Sequence, residues 1–215
     1  MNEGPREIEL KFALPTTRAT EISGAIGPLA GVAPKHQVSV YYDTPKGALR
    51  RAGLALRVRR TGDSYVQTLK DGGDGAFSRG EWETKVAGVE PDLVALKATP
   101  AARLLAKGPK LVARYVVDVR RRVAEVTEGE SRIELAFDEG VAKARGEEAP
   151  FAELELELKA GPQWGLFMLA RKLASAGDLT LSFTTKAARG SALASPPRSY
   201  AQKFEPPALT PGLPA

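Results

Sequence analysis

A strict alternation of charged and apolar residues constrains the fold of this chain more than any other feature. It occurs first in residues 7–11 (EIELK) and returns in residues 153–159 (ELELELK). Because successive side chains of a β-strand point to opposite faces, each segment predicts a strand with one charged face and one apolar face. Two carboxylates and an ammonium side by side, as in the first segment, would suit a metal ion and an anion.

The composition excludes several classes of chemistry. The 215 residues carry a net charge of +5 and include no cysteine, so disulfides, thiolate nucleophiles and cysteine-ligated metals are absent. The single histidine, His36, cannot form a multi-histidine metal site and is expected on the surface. No signal-peptide pattern and no bilayer-length apolar run occur, so we expect a soluble, cytoplasmic protein without a membrane partner.

Strand patterns dominate the chain and predict an α+β protein. The expected strands are residues 7–13, 37–42, 53–60, 64–70, 79–86, 111–126 (one long strand or a bent pair), 131–138, 151–159 and a short one at 141–144. The expected helices follow Pro15, lie within residues 91–107, span residues 163–176 with Gly177 as the C-cap, and follow Thr185.

The charged faces of the predicted strands carry different charges. Arg57 and Arg59 share a face of one strand, whereas Glu153, Glu155 and Glu157 share a face of another. An antiparallel sheet with one solvated face would give this pattern without any function. A barrel with a polar lumen, an apolar exterior and helices packed on the outside would give it too, and its lumen would need counterions.

Seven segments of the chain resemble, in order, the CYTH domain family, also called the triphosphate tunnel metalloenzymes. They are the ExExK signature at residues 7–11 and the segments 54–59, 67–70, 79–83, 133–138, 153–157 and 185–190. The resemblance assigns residues 1–205 to this domain and leaves residues 206–215 as a proline-rich tail or linker. It implies a closed eight-stranded antiparallel β-barrel, a tunnel, that binds a triphosphate.

The resemblance also implies roles for individual residues. Mg²⁺ or Mn²⁺ would be held by the acids of three strands, which are Glu7, Glu9, Asp138 and two of Glu153, Glu155 and Glu157. Of these three glutamates the last two are favoured, and they would also hold the attacking water. Phosphate oxygens would be bound by Lys11, which also serves catalysis, and by Arg57, Arg59, Lys70 and Lys186, with Glu81 on the same substrate-binding surface. The alternation adds Arg120 and Arg122, whereas a β-bulge would favour Arg121.

The expected activity is metal-dependent hydrolysis of inorganic triphosphate. The alternatives are thiamine triphosphatase activity, adenylate cyclase activity and a non-catalytic module that binds polyphosphate. Nucleic acid is not an expected partner, because aromatic residues make up only 7% of the chain and no aromatic strand accompanies the basic residues. The resemblance also implies a CHAD domain, following the tail, as a partner, and the expected oligomeric state is a monomer or a dimer.

Overall fold

The structure is a computed structural model that describes residues 6–72, 78–106, 108, 110–176 and 179–195. Its framework is an antiparallel sheet with the strand order β5-β4-β3-β2-β6-β7-β8-β1-β9. The strands are β1 (Arg6–Leu14), β2 (Lys35–Asp43), β3 (Ala55–Thr61), β4 (Ser64–Lys70), β5 (Ser78–Val86), β6 (Val112–Glu128), β7 (Ser131–Ala144), β8 (Glu147–Ala160) and β9 (Thr180–Leu181). The sheet and the few helices confirm the predicted α+β class.

Strand β1 pairs with two of the long strands of the sheet. It pairs with β8 from Glu9 opposite Glu157 to Leu14 opposite Ala152. At its other end, three residue pairs join β1 to β5, from Arg6 opposite Gly80 to Ile8 opposite Ser78. Strand β1 therefore also contacts the strand at the opposite end of the sheet order.

Five helices accompany the described part of the sheet. They are α1 (Ala19–Ala25), α2 (Ala48–Arg51), α3 (Ala102–Leu105), α4 (Gln163–Ala176) and α5 (Lys186–Ala194), with 3₁₀ turns at Thr16–Arg18, Gly27–Leu29 and Ala95–Ala98. Helix α4 has the predicted bounds, while its predicted C-cap, Gly177, lies outside the described residues. Thr185 caps α5 by accepting a hydrogen bond of 3.0 Å from the amide of Ala188. Within the described residues, none of these helices combines the length and apolar character that a bilayer-crossing helix requires.

The apolar faces of the strands pack beneath the helices. The largest cluster joins β1, β7 and β8 to α1 and α4, and includes Phe12, Ile22, Phe137, Leu154 and Leu166. A second cluster joins β2, β3 and β4 to α2 and the turn at Ala95–Ala98. These clusters leave the charged faces of the same strands pointing away from the helices that cover the apolar faces.

Three strands are longer or more continuous than the sequence predicted. Strand β6 is one strand of 17 residues, and β7 runs without a break through Gly140 to Ala144. Strand β8 begins at Glu147, so that only Arg145 and Gly146 connect it to β7, both with positive φ. Two such residues form the tight hairpin that matches strand twist, and pairing across this hairpin extends both strands beyond their alternating segments.

Candidate functional site

The charged faces of the strands line one common cavity of about 1370 Å³. Most of the residues that the sequence singled out lie on its wall, namely Glu7, Glu9, Lys11, Arg57, Arg59, Lys70, Glu81, Glu155, Glu157 and Lys186. Several of these side chains are nearly removed from solvent, since Glu9 and Lys11 are each 7% exposed. A solvated sheet face does not account for charges buried to this extent.

Three carboxylates meet at the edge of the cavity, where Glu155 lies on the wall and Asp138 and Glu153 are buried behind it. Asp138 on β7 lies directly opposite Glu153 on β8, and Glu155 follows two residues later on the same face. One oxygen from each of the three residues lies within 4.8 Å of the others. The Oε2 atom of Glu153 is buried and has no hydrogen-bond partner. This donor set fits a hard divalent cation, which prefers oxygen ligands.

Two lysines contact this acidic triad (Asp138, Glu153 and Glu155). Lys11 Nζ lies 3.0 Å from Glu155 and 3.8 Å from Glu153. Lys186 Nζ, from the first residue of α5, lies 2.6 Å from Asp138 and 2.9 Å from Glu155, and also donates to Glu153. The strand and the helix thus direct two ammonium groups at the same three acids.

Arg121 is the third cation at the acidic triad. Its Nε and Nη2 donate to the two oxygens of Asp138 at 2.7 and 2.6 Å, and Nη2 also donates to Glu155. The paired donation to one carboxylate matches the fork geometry of a guanidinium. Three acids therefore face three cations in a nearly water-free space.

These contacts set the protonation of the acids. Burial alone would raise the pKa of Glu155, but Lys186, Lys11 and Arg121 lower this pKa well below its ordinary value. The pKa of Asp138 is also lowered, because Lys186 and Arg121 outweigh burial. For Glu153, which is 1% exposed, burial outweighs the attraction of Lys186 and raises the pKa. Two of the three carboxylates are therefore held firmly as anions.

Arg57 and Arg59 bring positive charge to the cavity wall, and Arg59 is the less compensated of the two. Burial, followed by the neighbouring Arg57 and Arg121, lowers the pKa of Arg59 to about 9. Within the described residues Arg59 forms no ion pair, and its Nε donates only to Ser39 Oγ at 3.4 Å. Arg57 Nε is buried without a hydrogen-bond partner, and Glu81 lies 3.9 Å from Arg57 Nη2. An anion in the cavity would satisfy both guanidiniums.

The predicted acids Glu7, Glu81 and Glu157 lie in separate ion pairs along the wall. Lys70 Nζ lies 2.6 Å from Glu7 and 3.3 Å from Glu81. Lys159 Nζ lies 2.7 Å from Glu157. The structure thus groups Glu153 and Glu155 with Asp138, whereas the sequence favoured Glu155 and Glu157 as the pair that joins the metal site.

Alternation favoured Arg120 and Arg122 as the phosphate-binding residues of this strand, but the structure places Arg121 on the cavity wall and neither of the other two. Arg120 is exposed, and Arg122 pairs with Glu139 at 3.0 Å. Arg121 points inward because it shares a face with Val117 and Val119, whose side chains pack against aromatic residues at one end of the cavity. The inner face of β6 is therefore partly apolar. The register shift between β2 and β6 lies at Tyr41/Tyr42, away from Arg121.

Sequence reasoning assigned no role to Tyr115 or Arg189. The Tyr115 hydroxyl donates to the carbonyl oxygen of Ala187 at 2.9 Å. The Arg189 guanidinium lies 4.9 Å from the ring centre of Phe151, and its Nη2 lies 3.9 Å from Glu153 Oε2. The spacing of three residues between Lys186 and Arg189 is a usable signal, since it places both on one face of a helix.

Comparisons with known proteins relate this arrangement to one family. The family model of the CYTH domain matches residues 5–191. The inorganic triphosphatase of Haemophilus influenzae is 30% identical over 198 residues, a match that covers 88% of this chain and 55% of that protein. This chain therefore spans about half the length of that relative.

Solved structures show the same fold at low sequence identity. A protein from Hippeastrum, a putative adenylyl cyclase with a dominant triphosphatase activity, superposes with a TM-score of 0.61 at 21% identity, covering 86% of this chain and 95% of that one. The PH1819 protein of Pyrococcus horikoshii OT3 superposes with a TM-score of 0.55 at 18% identity, covering 83% and 94%.

Proposed function

Because this chain belongs to the CYTH domain family, we propose that it hydrolyses a triphosphate with the help of a divalent metal ion. The preferred substrate in this proposal is inorganic triphosphate, which water cleaves to pyrophosphate and phosphate. The inorganic triphosphatase from Haemophilus influenzae, 30% identical to this chain, supports that choice of substrate.

The observation that carries the proposal is that two arginines with weak acidic partners share a cavity wall with Glu155, one of three acids that could bind a cation. Within the described residues Arg59 forms no ion pair and Arg57 has Glu81 only at 3.9 Å, while one oxygen each of Asp138, Glu153 and Glu155 lies within 4.8 Å of the others. A metal-bound polyanion would satisfy both groups at once. Phosphoryl transfer needs such positioning and charge neutralisation more than it needs a protein nucleophile.

The sheet in this proposal closes into a tunnel of eight long strands. The three residue pairs between β1 and β5 support closure, because these strands lie far apart in the sheet order. The burial of Lys11 and Glu9 supports an enclosed lumen as well. Strand β9 would add two residues outside the eight-stranded circuit, where it pairs with β1 at Phe12 and Ala13.

The acidic triad would hold Mg²⁺ or Mn²⁺, and the buried Oε2 of Glu153 offers an oxygen that no protein donor occupies. Glu7 and Glu9 line the same cavity and would add ligands toward the other end of β1. When bound, the metal supplies neutralisation of phosphate charge and a water of lowered pKa.

The cations of the chain would bind and orient the phosphates. Arg57 and Arg59 would donate in pairs to phosphate oxygens, as guanidinium geometry allows. Lys11 and Lys186 would shift from their carboxylate partners toward the phosphate chain, and Arg121 would hold Asp138 and Glu155 as anions. The buried setting strengthens each of these interactions, because little water is left to screen them.

The direct test is phosphate release from inorganic triphosphate, thiamine triphosphate, ATP and pyrophosphate, each with Mg²⁺ or Mn²⁺ and with EDTA as the control. We expect the fastest metal-dependent release from inorganic triphosphate. Arg59→Met should lower kcat/KM about 100-fold, the size typical of a lost charge-stabilising donor. Arg60→Met is the matched control, because Arg60 is exposed and donates to the Gly62 carbonyl oxygen.

Two outcomes would replace this proposal with an alternative. Formation of cyclic AMP and pyrophosphate from ATP and Mn²⁺ would identify an adenylate cyclase. Tight binding of triphosphate without turnover, with metal present, would identify a module that only binds polyphosphate. Faster hydrolysis of thiamine triphosphate would keep the hydrolase proposal and change its substrate.

The cellular setting is also a proposal. We place the protein in the cytoplasm, as a monomer or a dimer, without nucleic acid as a partner. Residues 206–215, the predicted proline-rich tail or linker, lie outside the described residues. Size-exclusion chromatography with light scattering would determine the oligomeric state directly.

A further inference from the structure

A row of side chains crosses three strands and ends at α5. Arg57 on β3 lies directly opposite Tyr41 on β2, and Tyr41 lies directly opposite Tyr115 on β6. Directly opposite residues of antiparallel strands present neighbouring side chains on one face. The Tyr41 and Tyr115 rings are stacked, with centroids 4.6 Å apart and an interplanar angle of 20°.

Tyr115 connects this row to the helix that carries Lys186. Its hydroxyl donates to the carbonyl oxygen of Ala187 at 2.9 Å, one residue after Lys186. Its ring also occupies the space beside Gly190, where a Cβ atom would overlap the ring. The helix therefore approaches the tyrosine as closely as a residue without a side chain permits.

Tyr41 performs the corresponding role for the arginine. It is 5% exposed and lies beside a guanidinium whose Nε has no hydrogen-bond partner. Burial opposes the charge of Arg57, but the Tyr41 hydroxyl and Glu81 outweigh it and raise the pKa of Arg57. Each tyrosine of the pair thus contacts an element that carries one of the cavity's cations.

We propose that the stacked pair of Tyr41 and Tyr115 positions Arg57 and Lys186 relative to each other, so that both cations bind the same phosphate chain. This inference rests on the proposed function for its substrate, but the anchoring of α5 stands on the contacts alone. Tyr115 acts through Lys186 and is a positioning residue. The stack is suited to this task, because a ring pair has few rotatable bonds and transmits a fixed spacing.

The test is a double-mutant cycle between Tyr115→Phe and Lys186→Ala. The probe is inorganic triphosphate in EDTA, so that binding is measured by calorimetry without turnover. Tyr115→Phe keeps the ring and removes one hydrogen bond, so we expect affinity to fall about three- to tenfold. In the Lys186→Ala background the same change should alter affinity less than twofold, because the residue that Tyr115 positions is gone.

Tyr65→Phe is the matched control, since Tyr65 packs on the apolar side of β4 and should leave affinity unchanged. An equal loss from Tyr115→Phe in both backgrounds would overturn the proposal and leave Tyr115 with a general structural role. Unchanged affinity in the otherwise wild-type protein would overturn it as well.

Amide hydrogen exchange of α5 tests this proposal independently of the proposed function. If the wild-type protein releases no phosphate from any of the triphosphates with metal present, the proposed function fails, and hydrogen exchange without ligand still tests the positioning. We expect Tyr115→Phe, and not Tyr65→Phe, to speed exchange in residues 187–194 by at least about threefold, because the helix loses one anchoring bond. Unchanged exchange in α5 would overturn the anchoring role.

Discussion

Arg121 on β6 and Asp138 on β7 lie directly opposite each other, and the guanidinium donates to both carboxylate oxygens at 2.7 and 2.6 Å. Asp138 is fully buried, with 0% exposure, so its charge depends on this contact and on Lys186. The pair keeps an acid ionised where solvent cannot. The contact also leaves Arg121 close enough to Arg57 and Arg59 for its charge to oppose theirs.

Removing Arg121 should impair both stability and activity. In Arg121→Ala the buried Asp138 loses its bidentate partner, and breaking a buried ion pair in this way costs about 3–5 kcal/mol. We expect a lower Tm and a fall in kcat/KM of about 100-fold or more. Thermal unfolding and steady-state kinetics would measure the two effects. Arg120→Ala, one residue away and exposed, should change neither, and equal effects of both variants would contradict the placement of Arg121.

The register of β8 predicts different outcomes for two glutamates. Glu155 contacts Lys11, Lys186 and Arg121, whereas Glu157 pairs with Lys159 outside the acidic triad. Glu155→Gln should reduce metal-dependent turnover about 100-fold and raise the Mg²⁺ concentration needed for half-maximal rate. Glu157→Gln should reduce turnover by less than about tenfold, since it leaves the triad intact. Metal titrations of both variants provide the comparison, and an equally large loss in both variants would restore Glu155 and Glu157 as the pair that the sequence favoured.

Arg59 should destabilise the protein when no anion is bound. Its pKa in the folded state is about 9, below the value of 12.5 that a free guanidinium has, because burial and Arg57 oppose its charge. The folded state therefore bears a penalty at every pH below about 9, and this penalty is relieved as pH rises from 9 toward 12.5.

The variant Arg59→Met should increase the stability of the free protein and weaken its binding of triphosphate. At pH 7 we expect Arg59→Met to raise Tm by about 2–4 °C, which corresponds to about 1 kcal/mol for a chain of this size. The same variant should lose most of the Tm increase that inorganic triphosphate gives the wild-type protein. Differential scanning fluorimetry with and without triphosphate measures both, with Arg60→Met as the control. A lower Tm for Arg59→Met would contradict this account.

Lowering the pH should destabilise the protein, because carboxylates of the acidic triad become protonated. The folded-state pKa values of Glu155 and Asp138 are lowered, so their stabilisation is present above the unfolded-state values near 4 and is lost as pH falls through the lower folded-state values. Glu155→Gln should lower stability at pH 7 and flatten the loss of stability below about pH 4. Chemical denaturation across this range would measure the slope. Glu130→Gln, in an exposed turn, should keep the wild-type slope.

Local alternation predicted most of the strands and the sorting of their charges, because side-chain direction in a strand follows from neighbouring residues alone. It failed at Arg121 for a physical reason. The inner face of β6 passes from a charged region at Arg121 to an apolar region at Val117 and Val119, which packs beside Tyr41 and Phe151. A pattern that assigns apolar residues to one side cannot detect a face that changes character along its length.

Local sequence patterns also failed to predict the full lengths of β7 and β8. Residues 140–150 (GVAKARGEEAP) show little alternation, yet they form the hairpin end of both strands. The backbone of these residues is hydrogen-bonded to the partner strand. The tight turn at Arg145 and Gly146 brings the two strands together and therefore determines how far they extend. The sequence also could not predict the contact between Tyr115 and Gly190, because the two residues are 75 positions apart in the chain.

The sequence by itself determined the chemistry of this protein: amphipathic strands, acids in a chain with no cysteine and a single histidine, and a surplus of arginine and lysine on particular strands. Only the tertiary structure decided which of these charges meet. It selected Arg121 over its neighbours, and it grouped Glu153 and Glu155 with Asp138. The reason is that side-chain identity is local, whereas strand register and the packing of α5 arise from contacts between distant segments.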